Sequence, residues 1–210
     1  MSNCNVILRH FVQAHGHTSD RSADLSFEQD ADDVVALLRT LKITKADFLG
    51  FSNGGNTALQ IAVRHPEVVN KIIAASALLK KDGAFPQFWE FMKHAKIEQM
   101  PTELKEAFLK INADSSRLQT MHDKCAKRMV KFKDMTDYQI KSIKAPVLLA
   151  NGDSDVATSE HMVKMSRLIP NCKLAIIPGS HGEYLGEITT LKSGQATPPV
   201  ILPIIEKFLE

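Results

Sequence analysis

Short apolar runs alternate with amphipathic stretches along most of the chain. The predicted strands, each an apolar run bounded by polar or turn-forming residues, span residues 4–12, 45–50, 70–78, 145–150 and 173–178. The predicted helices, each with one apolar face, span residues 26–41, 53–64, 159–168 and 199–209. Continuous apolar strands are typical of a parallel sheet that is buried on both faces. The pattern therefore predicts an α/β fold, with a mostly parallel sheet and helices on both faces.

The alternation is interrupted over residues 80–144, where the chain becomes charged and rich in Phe and Met. Pro86, Pro101 and Asp114 predict breaks between about three short helices in this stretch. We interpret it as a helical cap or lid inserted into one domain. The domain core is then formed by residues 1–79 and 145–210, and the insertion by residues 80–144.

Composition excludes several classes of partner. The chain has 210 residues, 44% of them hydrophobic and 24% charged, with a net charge of +2. This balance gives no electrostatic reason to expect a nucleic acid or a membrane surface as a partner. One local basic cluster is interpreted as a solvated helix face; it comprises Lys124, Lys127, Arg128, Lys131 and Lys133.

Cysteine usage and hydropathy suggest a cytoplasmic protein. Cys4, Cys125 and Cys172 are far apart and odd in number, which favours reduced thiols over a disulfide framework. Their spacing matches no metal site, so we expect no metal. The N-terminus lacks the basic and apolar regions of a signal peptide, and no apolar run is long enough to span a bilayer.

Polar side chains follow three of the predicted strands at the point where each strand ends. Ser52 follows residues 45–50, Asp153 and Asp155 follow residues 145–150, and His181, preceded by Ser180, follows residues 173–178. Sites in open parallel sheets form beyond the carboxyl ends of the strands. A hydroxyl, a carboxylate and an imidazole therefore reach one sheet edge, and they are the components of a nucleophile–base–orienter triad.

The sequence around Ser52 suits a serine nucleophile. An imidazole can take the hydroxyl proton and return it to the leaving group, while a carboxylate orients the ring. Gly50 and Gly54 complete a G-x-S-x-G motif, and we expect a Cβ at either position to crowd the tight strand-to-helix turn. The helix that follows directs its N-terminus, with its partial positive charge, at the place where an oxyanion would develop.

Four motifs resemble those of the α/β-hydrolases, in particular the lid-bearing esterases, lipases and haloperoxidase-like enzymes. "GHTSD" resembles the turn after the family's fourth strand, "FLGFSNGG" its nucleophile elbow, "APVLLANGDSD" its acid turn and "IIPGSHG" its histidine loop. The resemblance covers nearly the whole chain. It implies Ser52 as nucleophile, His181 as base, Asp155 as orienter with Asp153 as a turn former, and the N–H of Asn53 as an oxyanion donor.

The chain departs from this family before "GHTSD". The family has several strands there, one of them followed by a His-Gly loop that supplies a second oxyanion donor. Only about fifteen residues precede Gly16, so the chain resembles the family with its N-terminal portion missing. We expect an uncovered sheet edge, capped by the rearranged N-terminus or by a second subunit in a homodimer. Loss of one oxyanion donor typically lowers turnover by about 10²–10³-fold.

Hydrolysis of an ester or a related acyl bond, through an acyl-enzyme on Ser52 and without a cofactor, is the leading hypothesis. The Phe-rich insertion favours a small apolar acyl substrate; its large apolar residues are expected in the core, some of them lining the pocket: Phe85, Phe88, Trp89, Phe91, Met92 and Phe108. One alternative is a catalytically impaired or non-catalytic hydrolase-like binding protein. Another is C–C bond cleavage or perhydrolysis by the same three residues.

Other candidate groups have simpler interpretations. His65 is expected to cap the C-terminus of a helix, whereas His94, His122 and His161 are expected at the surface of helices. Cys125 lies on a predicted helix without a paired base, so we expect an inert thiol.

Overall fold

Four parallel strands form the sheet of the computed structural model, which describes residues 12–191 and 199–210. The strands are β1 (Ala46–Phe51), β2 (Val69–Ala75), β3 (Val147–Gly152) and β4 (Cys172–Ile177), and they pair in the order β1-β2-β3-β4. Four of the five predicted strands are thereby confirmed. The strand predicted over residues 4–12 lies, apart from Val12, outside the described residues.

Helices connect the strands and end the chain. They are α1 (Phe27–Thr40), α2 (Asn53–Arg64), α3 (Pro86–Lys93), α4 (Thr102–Ile111), α5 (Ser115–Val130), α6 (Asp137–Ser142), α7 (Ser159–Leu168) and α8 (Leu202–Leu209). Helix α1 begins after Ser26, whose hydroxyl accepts the N–H of Gln29. Across the described ranges, no helix is long and apolar enough to cross a lipid bilayer.

The insertion between β2 and β3 contains four helices, one more than the breaks in its sequence suggested. Three of them begin at or directly after the predicted breaks at Pro86, Pro101 and Asp114. The fourth, α6, is capped by Thr136, whose side chain accepts the N–H of Gln139 while the Gln139 side chain accepts the N–H of Thr136. This Thr-x-x-Gln pattern is the sequence signal that predicts the extra helix.

Helices cover the sheet on both faces, as predicted. On one face, Ile72 and Leu149 pack in a cluster that includes Leu59 of α2 and Met165 of α7. On the opposite face, Ile73 and Leu148 pack against Ile205 and Phe208 of α8. The sheet is therefore the middle layer of an α/β sandwich, and its strand ends are free to carry a site.

The insertion packs onto the sheet domain through α3 and through residues 129–143. Met129, Phe132, Ile140 and Ile143 belong to the same core cluster as Ile72 of the sheet. A third, smaller cluster, formed by Phe108, Leu118 and Met121, joins α4 and α5 to Ala14 near the start of the described chain. The insertion therefore shares the core of the sheet domain.

Arg128 is buried, so the solvated helix face predicted for the basic cluster is wrong at this position. Its Nη1 donates to Asp30 Oδ2 of α1 over 2.7 Å, and only 4% of the Arg128 side chain and 2% of the Asp30 side chain are exposed. Burial raises the pKa of Asp30 to about 6, although the Arg128 charge acts in the opposite direction. Lys124, Lys127 and Lys131 form ion pairs with carboxylates of residues 20–24. The basic face of α5 thus attaches the insertion to the N-terminal part of the chain.

Candidate active site

Ser52 lies on a sharp turn between β1 and α2. The strand ends at Phe51, the helix begins at Asn53, and Ser52 adopts a positive φ of 54° that is costly for a residue with a side chain. The N–H of Ser52 donates to the carbonyl oxygen of Ala75 over 2.8 Å, which continues the β1–β2 ladder and holds the turn. The hydroxyl therefore projects from the carboxyl edge of the sheet, as the motif predicts.

The two flanking glycines differ in why they are needed. A Cβ on Gly50 would overlap the backbone carbonyl of Gly54, so the turn requires glycine at position 50. A Cβ on Gly54 would meet no atom within 4 Å. The steric prediction is therefore confirmed at Gly50 and wrong at Gly54, which lies in the open first turn of α2.

Two hydrogen bonds connect the three residues predicted at the strand ends. Ser52 Oγ lies 3.1 Å from His181 Nε2, and His181 Nδ1 lies 2.6 Å from Asp155 Oδ1. An ionised carboxylate can only accept, so Nδ1 carries the ring proton in the neutral imidazole and Nε2 presents its lone pair to the hydroxyl. The sheet thus brings together side chains that are 129 and 26 positions apart in sequence.

Asp155, and not Asp153, faces His181. Asp153 Oδ1 instead accepts the N–H of Gly179 over 3.0 Å, and its own N–H donates to Ile177 O over 2.9 Å. Asp153 therefore ties the loop after β3 to the loop after β4, in agreement with the turn-forming role that the resemblance implies.

The environment of Asp155 favours its charged form. Burial alone would raise the pKa of this carboxyl, but the hydrogen bond and charge of His181, and then donors from Ser76 and the Gly152 N–H, hold the pKa below its ordinary value. The carboxyl is fully buried, whereas 35% of the His181 side chain is exposed. A buried anion thus lies behind a ring that solvent and small molecules can reach.

Phe51 supports the imidazole from the side. The two ring centroids lie 4.7 Å apart, with the planes tilted by 42°. Gly182 follows His181 with a φ of 77°, and a Cβ there would come within 2.6 Å of the Phe51 ring. Sequence reasoning missed both contacts. The glycine that follows His181 in the Ser-His-Gly order after β4 is the local signal for the close approach of Gly182 to Phe51.

Ser76 and Tyr184 complete the buried part of the site, and sequence reasoning missed them as well. Ser76 Oγ donates to Asp155 Oδ2 over 2.6 Å and lies 2.8 Å from the Tyr184 hydroxyl. The prediction extended the strand over residues 70–78, which placed Ser76 inside it, whereas β2 ends at Ala75. With the correct end, the strand-end criterion that identified Ser52 also identifies Ser76.

A narrow cleft opens in front of Ser52. Its lining residues are Ser52, Asn53, Asn56, Ser76, Leu78, Phe88, Met129, Val156 and His181. The Asn56 amide is already engaged, because it donates to Leu78 O over 2.7 Å and accepts the Leu78 N–H over 2.9 Å. The cleft therefore has a polar wall at the sheet edge and an apolar wall to which the insertion contributes Phe88 and Met129.

The large apolar residues of the insertion divide into three groups. Phe88, Trp89 and Met92 pack against the main core, as predicted, and Phe88 also lines the cleft. Phe108 is buried in the cluster of α4 and α5. Phe85 and Phe91 are 61% and 46% exposed, so a core position is wrong for both.

His161 is buried, which corrects the predicted surface position. Its Nε2 accepts the N–H of Leu79 over 3.3 Å, and burial lowers its pKa to about 4. The prediction for His65 as a helix C-cap residue is confirmed.

Cys125 has a basic neighbour that the sequence did not reveal. Its Sγ lies 3.6 Å from Nε2 of His15, which is 110 positions away, so the expected lack of a paired base is wrong. Burial nevertheless raises the pKa of the Cys125 thiol, which keeps it protonated. In the part of the chain that the structure describes, no three His, Cys, Asp or Glu side chains are grouped so as to hold a metal ion.

The chain is similar to known hydrolases in sequence and in fold. Residues 12–110 match the family model described as alpha/beta hydrolase fold. The chain is 38% identical over 64 residues to the serine hydrolase BPHL of Homo sapiens, and 42% identical over 57 residues to 2-hydroxymuconate semialdehyde hydrolase of Pseudomonas sp. strain CF600. These matches cover 29% and 26% of this chain and 22% and 20% of the relatives, well under two thirds of their lengths.

The solved structure of the enol-lactonase from Burkholderia xenovorans LB400 aligns with the chain at a TM-score of 0.67 and 21% identity. This alignment covers 94% of the chain and 78% of the enol-lactonase. At this level of identity, the likeness shows the fold.

Proposed function

Because the chain belongs to the α/β-hydrolase fold family, we propose that it is a serine hydrolase that cleaves a carboxylic ester or a related acyl bond. The observation that carries the proposal is the continuous hydrogen-bond chain from Ser52 through His181 to Asp155. Each member comes from a different loop at one sheet edge, so the arrangement depends on the fold as a whole. This geometry supports the roles of nucleophile, base and orienting carboxylate for the three residues.

In the proposed reaction, Ser52 Oγ attacks the carbonyl carbon while His181 Nε2 takes its proton. His181 then gives that proton to the departing alcohol, which leaves an acyl group on Ser52. Water, activated by the same nitrogen, hydrolyses the acyl-enzyme and regenerates the hydroxyl. Asp155 holds the ring in the required tautomer and stabilises the imidazolium that forms in each half-reaction.

The N–H of Asn53 is the proposed oxyanion donor. It belongs to the first turn of α2, where backbone N–H groups lack helical partners and the helix dipole is positive. Among the described residues that line the cleft, the Asn56 amide is bound to Leu78 and the Ser76 hydroxyl to Asp155. Asn53 is therefore the donor that this part of the chain offers.

A small acyl group is the proposed substrate moiety. Leu78, Phe88, Met129 and Val156 line the apolar wall beside Ser52. The polar wall is formed by serine, asparagine and histidine side chains, and the lining contains no Lys or Arg that would select an anionic acyl chain. A short, neutral acyl group fits this lining.

Labelling with a fluorophosphonate tests whether Ser52 is activated. Wild-type protein is expected to gain the mass of one phosphonyl group, because Ser52 Oγ displaces fluoride from phosphorus while His181 takes the proton. Intact-protein mass spectrometry with peptide mapping measures the added mass and its position. Ser52→Ala is expected to remain unlabelled, and Ser154→Ala, a control at an exposed serine, to label like wild type.

Absence of labelling on the wild type at high probe concentration would instead support the second candidate function, a non-catalytic hydrolase-like binding protein. This candidate is favoured because the Asn53 N–H is the one oxyanion donor that we identify among the described residues lining the cleft. Removal of one such donor lowers kcat by about 10²–10³-fold in other serine hydrolases.

We also propose that a second copy of the chain covers the open edge of β1. Within the described residues β1 pairs only with β2, and Leu49 is 56% exposed although its partner Ile73 is 1% exposed. Two such edges are identical, so they can pair antiparallel about a two-fold axis and satisfy each other's N–H and C=O groups.

Sedimentation equilibrium over a range of concentrations tests this pairing. Wild-type protein is expected to be dimeric and Leu49→Lys monomeric, because a lysine at the centre of the edge opposes strand pairing. Ile111→Lys, at an exposed apolar residue of α4, is expected to behave as wild type. A wild type that is monomeric at every concentration would contradict the proposal.

A cytoplasmic location remains part of the proposal. Its support is that Cys125 and Cys172, the two cysteines in the described ranges, are both free thiols.

A further inference from the structure

We infer that Ser76 and Tyr184 are positioning residues that hold the Asp155 carboxylate in line with His181. The inference rests on the proposed hydrolase function. It concerns a relay, Tyr184–Ser76–Asp155, that acts on His181 through the carboxylate; Ser76 also lines the cleft, but its hydroxyl is bonded to Asp155 and Tyr184. The relay adds two hydroxyl groups to the machinery of the site.

Ser76 and Ser52 occupy equivalent backbone positions, each directly after the end of a strand. Ser52 follows the last residue of β1 and Ser76 the last residue of β2, and those last residues, Phe51 and Ala75, are partners in the sheet. Each serine continues its ladder: the N–H of Ser52 donates to Ala75 O and that of Ser76 to Ala150 O, both over 2.8 Å. Both serines have positive φ, 54° and 51°. Two strand ends thus present two hydroxyls to one site.

Donors and acceptors in the relay can be assigned from their chemistry. An ionised Asp155 carboxylate can only accept hydrogen bonds. The Ser76 hydroxyl therefore donates its single hydrogen to Asp155 Oδ2. The Tyr184 hydroxyl then has one hydrogen for two acceptors, Ser76 Oγ at 2.8 Å and the carbonyl oxygen of Ala150 at 3.1 Å, and we assign it to the shorter bond, to Ser76. Burial raises the pKa of Tyr184, which keeps this donor protonated. Such a chain is polarised toward the charge at its end, and each bond strengthens the next.

Together with backbone donors, the relay fixes the rotation of the carboxylate. Oδ1 accepts from His181 Nδ1 and from the N–H of Val156, both over 2.6 Å. Oδ2 accepts from Ser76 Oγ over 2.6 Å and from the N–H of Gly152 over 3.3 Å. Ser76 therefore supplies the shorter of the two bonds on Oδ2. Without it, the carboxylate can rotate away from the orientation in which Oδ1 faces the ring.

The backbone conformation of Ser76 argues for a role of its hydroxyl. A residue with a side chain at a φ of 51° is strained, and glycine would remove that strain. The chain has serine there, only 4% exposed, with its one polar side-chain atom bonded to Asp155 and Tyr184. We therefore infer that serine stands at this strained position because of its hydroxyl, which glycine lacks.

Steady-state kinetics on p-nitrophenyl acetate test the inference. Ser76→Ala and Ser76→Gly are both expected to lower kcat by about 10–100-fold, the usual effect of losing a hydrogen bond to a charged group, with KM within about twofold. Ser76→Gly separates strain from chemistry, because it relieves the backbone and still loses the hydroxyl. Ser154→Ala, whose hydroxyl lies against Asp153, is the matched control and is expected to retain wild-type kcat.

Tyr184→Phe is expected to cost less than Ser76→Ala, about threefold in kcat, because the ring stays and the effect passes through Ser76. The double variant Ser76→Ala/Tyr184→Phe should then be no slower than Ser76→Ala alone. Independent, multiplying effects of the two substitutions would overturn the relay, as would wild-type kcat in Ser76→Gly.

Proton NMR gives a readout that needs no activity. The Nδ1 proton of His181 in its short bond to Asp155 is expected to be strongly deshielded, and a His181→Gln sample assigns it by its loss. Ser76→Ala and Ser76→Gly should shift or broaden this signal, whereas Ser154→Ala should leave it in place. An unchanged signal would refute the inference even in an active enzyme. A changed signal in a protein that no fluorophosphonate labels would support the inference and reject the proposed hydrolase function.

Discussion

Replacing His181 with Gln is expected to lower kcat for ester hydrolysis by about 10⁶-fold while leaving the fold intact. His181 is the only base within hydrogen-bond distance of Ser52 Oγ in the described chain, and a hydroxyl without a base is a poor nucleophile. The His181 side chain is 35% exposed, so its replacement leaves no cavity in the core. Turnover of p-nitrophenyl acetate, with a thermal melt of the same sample, measures both parts of the expectation.

Asp155→Asn, at the second residue of the hydrogen-bond chain, and His94→Gln, a control at an exposed histidine, are compared with His181→Gln. Asp155→Asn is expected to lower kcat by about 10⁴-fold, since an amide can donate to Nδ1 and favour the wrong tautomer. His94 is exposed at the end of α3, and His94→Gln should retain full activity. Comparable activity in His181→Gln and wild type would mean that hydrolysis takes place without this histidine, and the proposed mechanism would be rejected.

The residues of the candidate site were predictable because the rule that found them is local. Ser52, Asp155 and His181 each lie within four residues of the end of a short apolar strand, and parallel strands bring their carboxyl ends to one edge. The glycines of the turn and the start of α2 give further support to the prediction of Ser52. No knowledge of side-chain packing is needed for that inference.

Ser76 shows where the same rule fails. The apolar run continues through Ala77 and Leu78, so hydropathy cannot tell that the strand ends at Ala75. The residues after it remain buried, and Asn56 binds the backbone of Leu78 there. Burial without strand structure has the same sequence signature as a strand.

The burial of a residue could also not be predicted from the sequence where it depends on a partner far away in the chain. Arg128 lies on a basic helix face, and only the docking of α1, 98 positions away, makes it a buried ion-pair residue. His161 is similar, since its hydrogen-bond partner Leu79 lies 82 positions away. Helical periodicity indicates which side of a helix is polar, but it does not indicate whether that side meets water or another charge.

Arg128→Met is expected to reduce the free energy of unfolding by about 3–5 kcal/mol, the usual cost of leaving a buried charge without its partner. Asp30 would remain buried beside α5, and the substituted methionine can still pack on the Phe27 ring, over which the guanidinium lies at 4.6 Å. Urea unfolding measures the change. Arg64→Met, which removes a half-exposed partner of Asp32, is the matched control and should cost at most about 1 kcal/mol.

The charge on Asp30 gives this prediction a pH dependence with a definite sign. In the native protein, the Asp30 pKa of about 6 lies above its ordinary value of 3.8, so the folded state binds more protons than the unfolded state between those values. Ionisation of Asp30 therefore lowers the free energy of unfolding as the pH rises through this window, and the need for Arg128 grows with it. The loss in Arg128→Met is expected to be larger at pH 8 than at pH 5. Asp30→Leu/Arg128→Met should recover most of that loss at both values, because a well-packed apolar pair replaces the ions. An equal loss at both pH values, with no recovery in the double variant, would show that Arg128 contributes through packing and not through its charge.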